Sequence, residues 1–301
     1  MQNILKTLAY FDIFNYPLTD EEIMQFLPEK NIRLLFDKSV EKLLEEKKIF
    51  KIGEFYSLKN RQSLADRRID GNNRAKHLLK TARRIAKLLA YFPFVESVCI
   101  SGSLSKNFAD QKSDIDFFII TEANRLWIAR SFMHLFKKLS YLAGRQHWFC
   151  MNYYIDEIGM EIVEKNIFTA MEIVTLKPMY GQACFKKFIE ANSWTTNYFQ
   201  KTFFSAEGQL KKVFLTRWME KCLRSRFGDT VEKWLMNLTD KRWKKKARKN
   251  RLNDHGGKIA MLVSPHFSKP APEFFQSKII KEYELRIHEL LKTNRLYKME
   301  L

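Results

Sequence analysis

Two short β-type runs, Val95 to Ser101 and Ile115 to Thr121, flank and overlap the segment ISGSLSKNFADQKSDIDFFII at positions 100–120. No other stretch limits so strongly what the chain can build. Both runs are apolar and rich enough in β-branched residues to be buried strands. Gly102 and Ser103 follow the first strand immediately, and Asp114 and Asp116 open the second. Side chains alternate across a strand, so the two aspartates share a face while Ile115 turns into the core. Two carboxylates on one face stay ionised cheaply only beside a cation, and hard oxygen ligands favour Mg²⁺. A glycine turn lets the backbone approach a phosphate closely, where the Ser103 amide and hydroxyl donate to its oxygens. The combination reads as a phosphate cradle facing a metal clamp. In the competing reading Ser103 caps a short helix and the aspartates solvate a strand end, which leaves their pairing unexplained.

The surroundings set the architecture. After the second strand come an amphipathic helix from about Leu126 to Leu142 and a third strand near Trp148 to Ile155, an α+β order with a mixed sheet and flanking helices. Upstream, apolar residues at helical spacing predict helices over 3–14, 19–27 and 32–47, with Thr19 and Glu22 forming a capping box. The run IFKIGEFYSL at 49–58 then splits at Gly53 and Glu54 into two short strands. Three helices and a hairpin are the order of a winged helix, which makes Arg33 and Lys38 candidate DNA contacts. Glu41, Glu45 and Glu46 would repel phosphate and favour a packing or protein-docking role. Residues 72–91 form a basic helix, and after Pro178 long helical periods at 205–250 and 273–292 are joined by a Gly/Pro connector. The expected division is a winged-helix-like domain over 1–62, a basic connecting helix over 63–93, a core over 94–185 and a helical C-terminal domain over 186–301.

The pattern hG[GS], about a dozen residues, then DhD resembles the signature of the nucleotidyltransferase superfamily that includes DNA polymerase beta and kanamycin nucleotidyltransferase. Gly102, Ser103, Asp114 and Asp116 match it position by position. The resemblance implies a nucleotidyltransferase-fold sheet over about residues 95–165. It implies that the Gly-Ser turn holds the outer phosphates of an NTP substrate and that the aspartates bind two Mg²⁺ ions, making them catalytic as well as metal-binding. One metal would activate an acceptor hydroxyl for in-line attack on the α-phosphate, and pyrophosphate would leave with the other. Lys106 follows the turn and is a candidate phosphate contact. Catalytic relatives carry a third carboxylate on the next strand; here Asn152 aligns there, able to ligate but not to take a proton. Asp156, four residues on, is the candidate substitute. Arg125 and Arg130 open the following helix and either is a candidate to face the nucleotide, whereas Trp127, His134 and His147 are expected to be structural. Glu172 receives no chemical role.

Lys+Arg total 53 against 34 Asp+Glu, a formal net charge of +19. Eight of the eleven residues at 241–251 are basic, with Trp243 among them and no acid. Lys244, Lys245, Lys246 and Arg248 are therefore candidate contacts for RNA or DNA, against the competing reading of a solvated helix face. Cys99, Cys150, Cys184 and Cys222 include no CxxC pair and are expected to be buried thiols, and no two histidines share a metal-binding spacing. Charges interrupt every apolar stretch, so a soluble, mature, cytoplasmic protein with no membrane partner is expected. The leading function is Mg²⁺-dependent nucleotidyl transfer from an NTP to an unidentified hydroxyl acceptor. The alternatives are a catalytically impaired, nucleotide-sensing DNA-binding regulator and a protein that docks an acidic partner. The base, the acceptor and the oligomeric state are not legible.

Overall fold

The computed structural model describes residues 1–28, 33–141, 150–200, 205–206, 212–248, 261–270 and 275–299. The chain begins with α1 (Gln2–Asp12), α2 (Asp20–Gln25) and α3 (Arg33–Glu45), followed by a hairpin of β1 (Phe50–Ile52) and β2 (Phe55–Ser57). Thr19 and Glu22 form the capping box: the Glu22 amide donates to Thr19 Oγ1 at 3.2 Å and the Thr19 amide to Glu22 Oε2 at 3.0 Å. Leu18 pairs through its backbone with Tyr56, tying the start of α2 to the hairpin.

α4 (Gln62–Leu89) links this N-terminal unit to the sheet by packing on both. In its first half Ala65 packs with Ile52 and Phe55, and the buried Arg68 binds Glu22 and the Pro17 carbonyl. In its second half Ala82, Ile85, Ala86 and Leu89 lie against the sheet, while Lys76, Lys80, Arg83, Arg84 and Lys87 stay exposed. The basic helix is therefore half of two cores as well as a connector.

Among the described residues the sheet has six strands in the order β6-β3-β4-β5-β8-β7. These are β3 (Val95–Ile100), β4 (Asp116–Thr121), β5 (Cys150–Asp156), β6 (Lys177–Tyr180), β7 (Met261–Val263) and β8 (Phe267–Pro270). The described pairs of these strands are antiparallel except for β4 and β5, which pair parallel. Their crossover is α6 (Leu126–Tyr141), which, with α4, covers one face over Ile100, Phe117, Ile119 and Tyr154. The other face, with Cys99, Phe118, Ile120 and Ile155, is covered by α8 (Gln182–Ala191) and Ile173 of α7 (Ile167–Val174). The fold is mixed α+β with flanking helices.

The C-terminal part wraps around this core. α9 (Phe214–Leu223) precedes α10 (Arg226–Arg248), which packs along α6, and α11 (Phe275–Met299) packs on α1 and α7. Arg286 of α11 binds Asp12 at 3.0 Å, and Tyr283 meets Tyr10 edge-on. The segment read as a Gly/Pro connector contains β7 and β8, which extend the sheet from β5. Cys99 and Cys184 are buried as expected, but Cys222 is exposed, because it falls on the solvent side of α9; the Cys150 side chain and His147 lie outside the described residues. No described helix is long and apolar enough to cross a membrane.

Candidate functional site

The Gly-Ser turn comes directly off the end of β3, and the Ser101 amide donates to the Asp116 carbonyl at 3.0 Å. Gly102 then adopts φ +67°, a left-handed conformation open to glycine at no steric cost. A Cβ built there would lie 2.8 Å from Asp116 Oδ2, so the turn and the carboxylate are in direct apposition. The short helix α5 (Gly102–Ser105) follows, closed by Ser105 Oγ donating to the Gly102 carbonyl at 2.8 Å. Just before and at the start of β4, Asp114 is exposed, Ile115 fully buried and Asp116 half-buried, the alternation expected of an extended segment with one face in the core.

The intervening loop is held from outside the sheet. Phe108 fills the space over Gly71 of α4, where an added Cβ would fall 2.2 Å from its ring, and the Ala109 amide donates to the Gly71 carbonyl. Arg67 lies over the Phe108 ring at 4.6 Å and binds Asp110 at 2.9 Å. Tyr16, on the loop after α1, donates its hydroxyl to the Lys106 carbonyl. α4 and the N-terminal helices thus set the position of the segment that carries Gly102 and Ser103.

Lys106 is already engaged: its ammonium donates to Glu172 of α7 at 2.8 Å and to the Gly102 carbonyl at 3.2 Å. It braces the turn and leaves a positive charge beside it. Gly102, Ser103 and Lys106, together with Arg67, Asp110 and Glu172, line a pocket of about 330 Å³ whose other walls include Phe14, Phe168 and Phe275. Pockets of this size and makeup take small organic ligands. Burial, reinforced by Glu172, pushes the Tyr10 hydroxyl on the pocket wall well above its ordinary pKa, so it stays protonated there.

Asp116 lies against Gly102, and Asp114 is two residues before Asp116; their carboxylates are hard oxygen donors of the kind that suit a divalent ion whose remaining ligands are water or phosphate oxygens. Among the described residues no cluster of three or more His, Cys, Asp or Glu converges as a metal cage. Asn152 lies in β5, in the stretch where the pairing register with β4 shifts; its side chain is outside the described residues.

Asp156 does not substitute for a third carboxylate. In the parallel pair Asp116 opposes Cys150, while Asp156 opposes Thr121 at the far end of β4. It is fully buried, accepts from the amides of Asn124, Ile158 and Gly159, and meets His266 Nδ1 at 2.9 Å. It holds the turn after β5. Arg125 and Arg130 also belong to that end, because α6 starts where β4 finishes. Arg125 binds Asp229 of α10 at 2.8 Å, and Arg130 is buried against Trp127 and Tyr154, so neither faces the Gly-Ser turn. Lys244, Lys245, Lys246 and Arg248 are exposed on the C-terminal half of α10, with Lys244 bound to Asp240 at 2.7 Å.

Several residues at the site carry no motif. Glu172 and Phe275 come from distant helices that only packing brings in. Lys177 of β6 pairs with Ile100, two residues before Gly102, and burial together with Arg83 lowers its ammonium pKa to about 8.

Residues 79–171, from the second half of α4 through most of α7, match the nucleotidyltransferase domain family. The matched span contains Gly102, Ser103, Asp114 and Asp116. No curated protein and no solved structure matches the chain.

Proposed function

We propose that this chain is a Mg²⁺-dependent nucleotidyltransferase that moves a nucleoside monophosphate from an NTP to a hydroxyl acceptor. Nucleotidyl transfer is the chemistry of the domain matched at 79–171. The observation that carries the reading is the apposition of Gly102 and Asp116, which brings the backbone of the turn within one methyl group's reach of a carboxylate.

In this reading Ser103 and the backbone at Gly102 bind the outer phosphates, and Lys106, neutralised in part by Glu172, lends them positive charge. The nucleoside occupies the aromatic pocket, its base against Phe14, Phe168 or Phe275. Asp114 and Asp116 hold Mg²⁺, which when bound offsets charge on the α-phosphate and lowers the pKa of the attacking hydroxyl. Their positions depend on the rigid β4, since Ile115 and Phe117 lock the strand into the core on both sides of Asp116. Asn152 cannot accept the acceptor's proton, and Asp156 is at the wrong end of β5, so proton removal falls to another group or to solvent.

The regulator reading is less well supported. Arg33, one of its two candidate DNA contacts, is bound to Asp20 and Asp37, and the exposed start of α3 presents Leu34 and Leu35.

The test is thermal stability of the protein with each NTP, with and without Mg²⁺, alongside pyrophosphate release. A ligand specific for the folded state raises the melting temperature. The expected result is a Mg²⁺-dependent rise that disappears in Asp114→Asn/Asp116→Asn while the variant's unliganded melting temperature stays near the wild type. No response to any NTP, or an unchanged response in the double variant, overturns the proposal.

A further inference from the structure

α6 and α10 lie side by side, with Glu232 against the start of α6 and Arg242 to Lys246 beside its later turns. Between them runs a groove of about 620 Å³. Arg130, Lys138, Arg242, Lys245 and Lys246 line it, and among the described residues no carboxylate does.

Arg130 is the informative residue. Three arginines are buried among the described residues: Arg68, Arg125 and Arg130. Arg68 binds Glu22 at 2.6 Å and Arg125 binds Asp229 at 2.8 Å. Arg130 is 5% exposed, and among the described residues no carboxylate pairs with it. Its Nε is buried without a hydrogen-bond partner among the described residues, and the Trp127 and Tyr154 rings, at 5.3 and 5.8 Å, lie against the guanidinium. A buried charge without a counter-charge is costly, so a chain that keeps one on the wall of a cationic groove is suited to receive an anion there. His134 Nε2, one turn along α6, is a second buried polar atom without a partner in the same wall.

The form of the groove specifies the anion further. Its cations are spread along two helices and do not converge on one point, which suits a chain of charges. Trp243 stands among them with Lys246 at 4.5 Å from its ring, on a floor that includes Leu235 and Leu238. Spaced cations with an aromatic platform are the elements of a site for single strands, in which phosphates meet the cations and a base stacks. We propose that the α6–α10 groove binds single-stranded nucleic acid, with a phosphate at Arg130 and a base on Trp243. Of the basic run on α10 the groove uses Arg242, Lys245 and Lys246, and α6 adds Arg130 and Lys138. The proposal stands independently of transfer at Asp114 and Asp116.

The test is fluorescence anisotropy of a labelled single-stranded oligonucleotide with the full chain over a range of salt, using both ribose and deoxyribose versions. Arg242→Glu/Lys246→Glu is expected to weaken binding about tenfold or more and to flatten the slope of log K against log salt by about 0.7 for each phosphate no longer neutralised. Trp243→Ala weakens it without changing that slope. The control Lys76→Glu/Lys80→Glu makes the same charge change on exposed α4 and has a much smaller effect. Arg130→Met weakens binding and removes the oligonucleotide-induced rise in melting temperature, while leaving the unliganded melting temperature unchanged or higher. Equal weakening by the α4 control reduces the groove to general positive field and overturns the proposal. So does an Arg130→Met variant that is less stable on its own, an unaffected Trp243→Ala, or tighter binding of a duplex than of the single strand.

Discussion

Gly102→Ala separates the two things this glycine does. The first is conformational: φ is +67°, where an L side chain costs about 1–2 kcal/mol. The second is steric: the new Cβ would lie 2.8 Å from Asp116 Oδ2 and 3.5 Å from its Cγ, so the carboxylate must swing away or the turn must move. Gly53, in the β1–β2 turn, supplies the comparison. Its φ is +60° and an added Cβ meets nothing within 4 Å, so Gly53→Ala carries the conformational cost alone. Gly53→Ala is expected to lose about 1–2 kcal/mol of stability and Gly102→Ala at least as much, roughly 2–4 °C in melting temperature per kcal/mol for a domain of this size range. Only Gly102→Ala is expected to lose the Mg²⁺–NTP response, which at a hundredfold excess over Kd is worth about 2.7 kcal/mol in the wild type. Differential scanning fluorimetry with and without Mg²⁺ and nucleotide, together with pyrophosphate release, reads both quantities. A Gly102→Ala protein that keeps the wild-type response, or a Gly53→Ala protein that loses it, refutes the apposition as the basis of the site.

Two further outcomes test how the scaffold is held. Glu232 of α10 accepts from the Trp127 and Ile128 amides at 2.7 and 2.9 Å, and burial pushes its carboxyl from the ordinary 4.5 up to about 7 against the lowering effect of those amides. A raised folded pKa means stability that is complete below about pH 4.5 and lost as pH rises through about 7, about 3 kcal/mol in all; urea midpoints at pH 5 and pH 8 should therefore differ more for wild type than for Glu232→Gln, and a pH-independent gap between the two contradicts the assignment. Arg68→Met leaves Glu22 without its partner and should cost about 3–5 kcal/mol in chemical denaturation, with Arg68→Met/Glu22→Gln recovering part of it; a loss below about 1 kcal/mol would show that the N-terminal unit is not anchored there.

The candidate site was legible in the sequence where its parts are local. Gly102, Ser103, Asp114 and Asp116 lie on one strand–turn–strand segment, so alternation alone places Ile115 inward, and the strands and α6 end within about two residues of their expected limits. Asp156 was misplaced for a reason alternation cannot detect. A face assignment holds along a strand, but which end of the strand adjoins a site depends on how neighbours pair, and the parallel β4–β5 register puts Asp156 opposite Thr121. The same applies to Arg125 and Arg130, whose distance from the turn follows from the direction of the crossover helix. Cys222 shows the limit of composition: a hydrophobic-looking thiol still faces solvent when its helix turns that side outward.

The sequence by itself determined the α+β order, the capped N-terminal helices, the strong positive charge and the residues of the Gly-Ser and Asp-Ile-Asp motif, because each is written in short-range spacing and backbone preference. Tertiary structure alone decided what those residues meet. It set Gly102 against Asp116 and Glu172 beside Lys106, and it added β7 and β8 to the sheet. It also paired α6 with α10, so that Glu232 caps a helix 105 residues away and Arg130 faces a groove lined by Arg242 and Lys246. Such contacts come from how apolar faces pack, and packing joins residues whose separation along the chain carries no periodic signal.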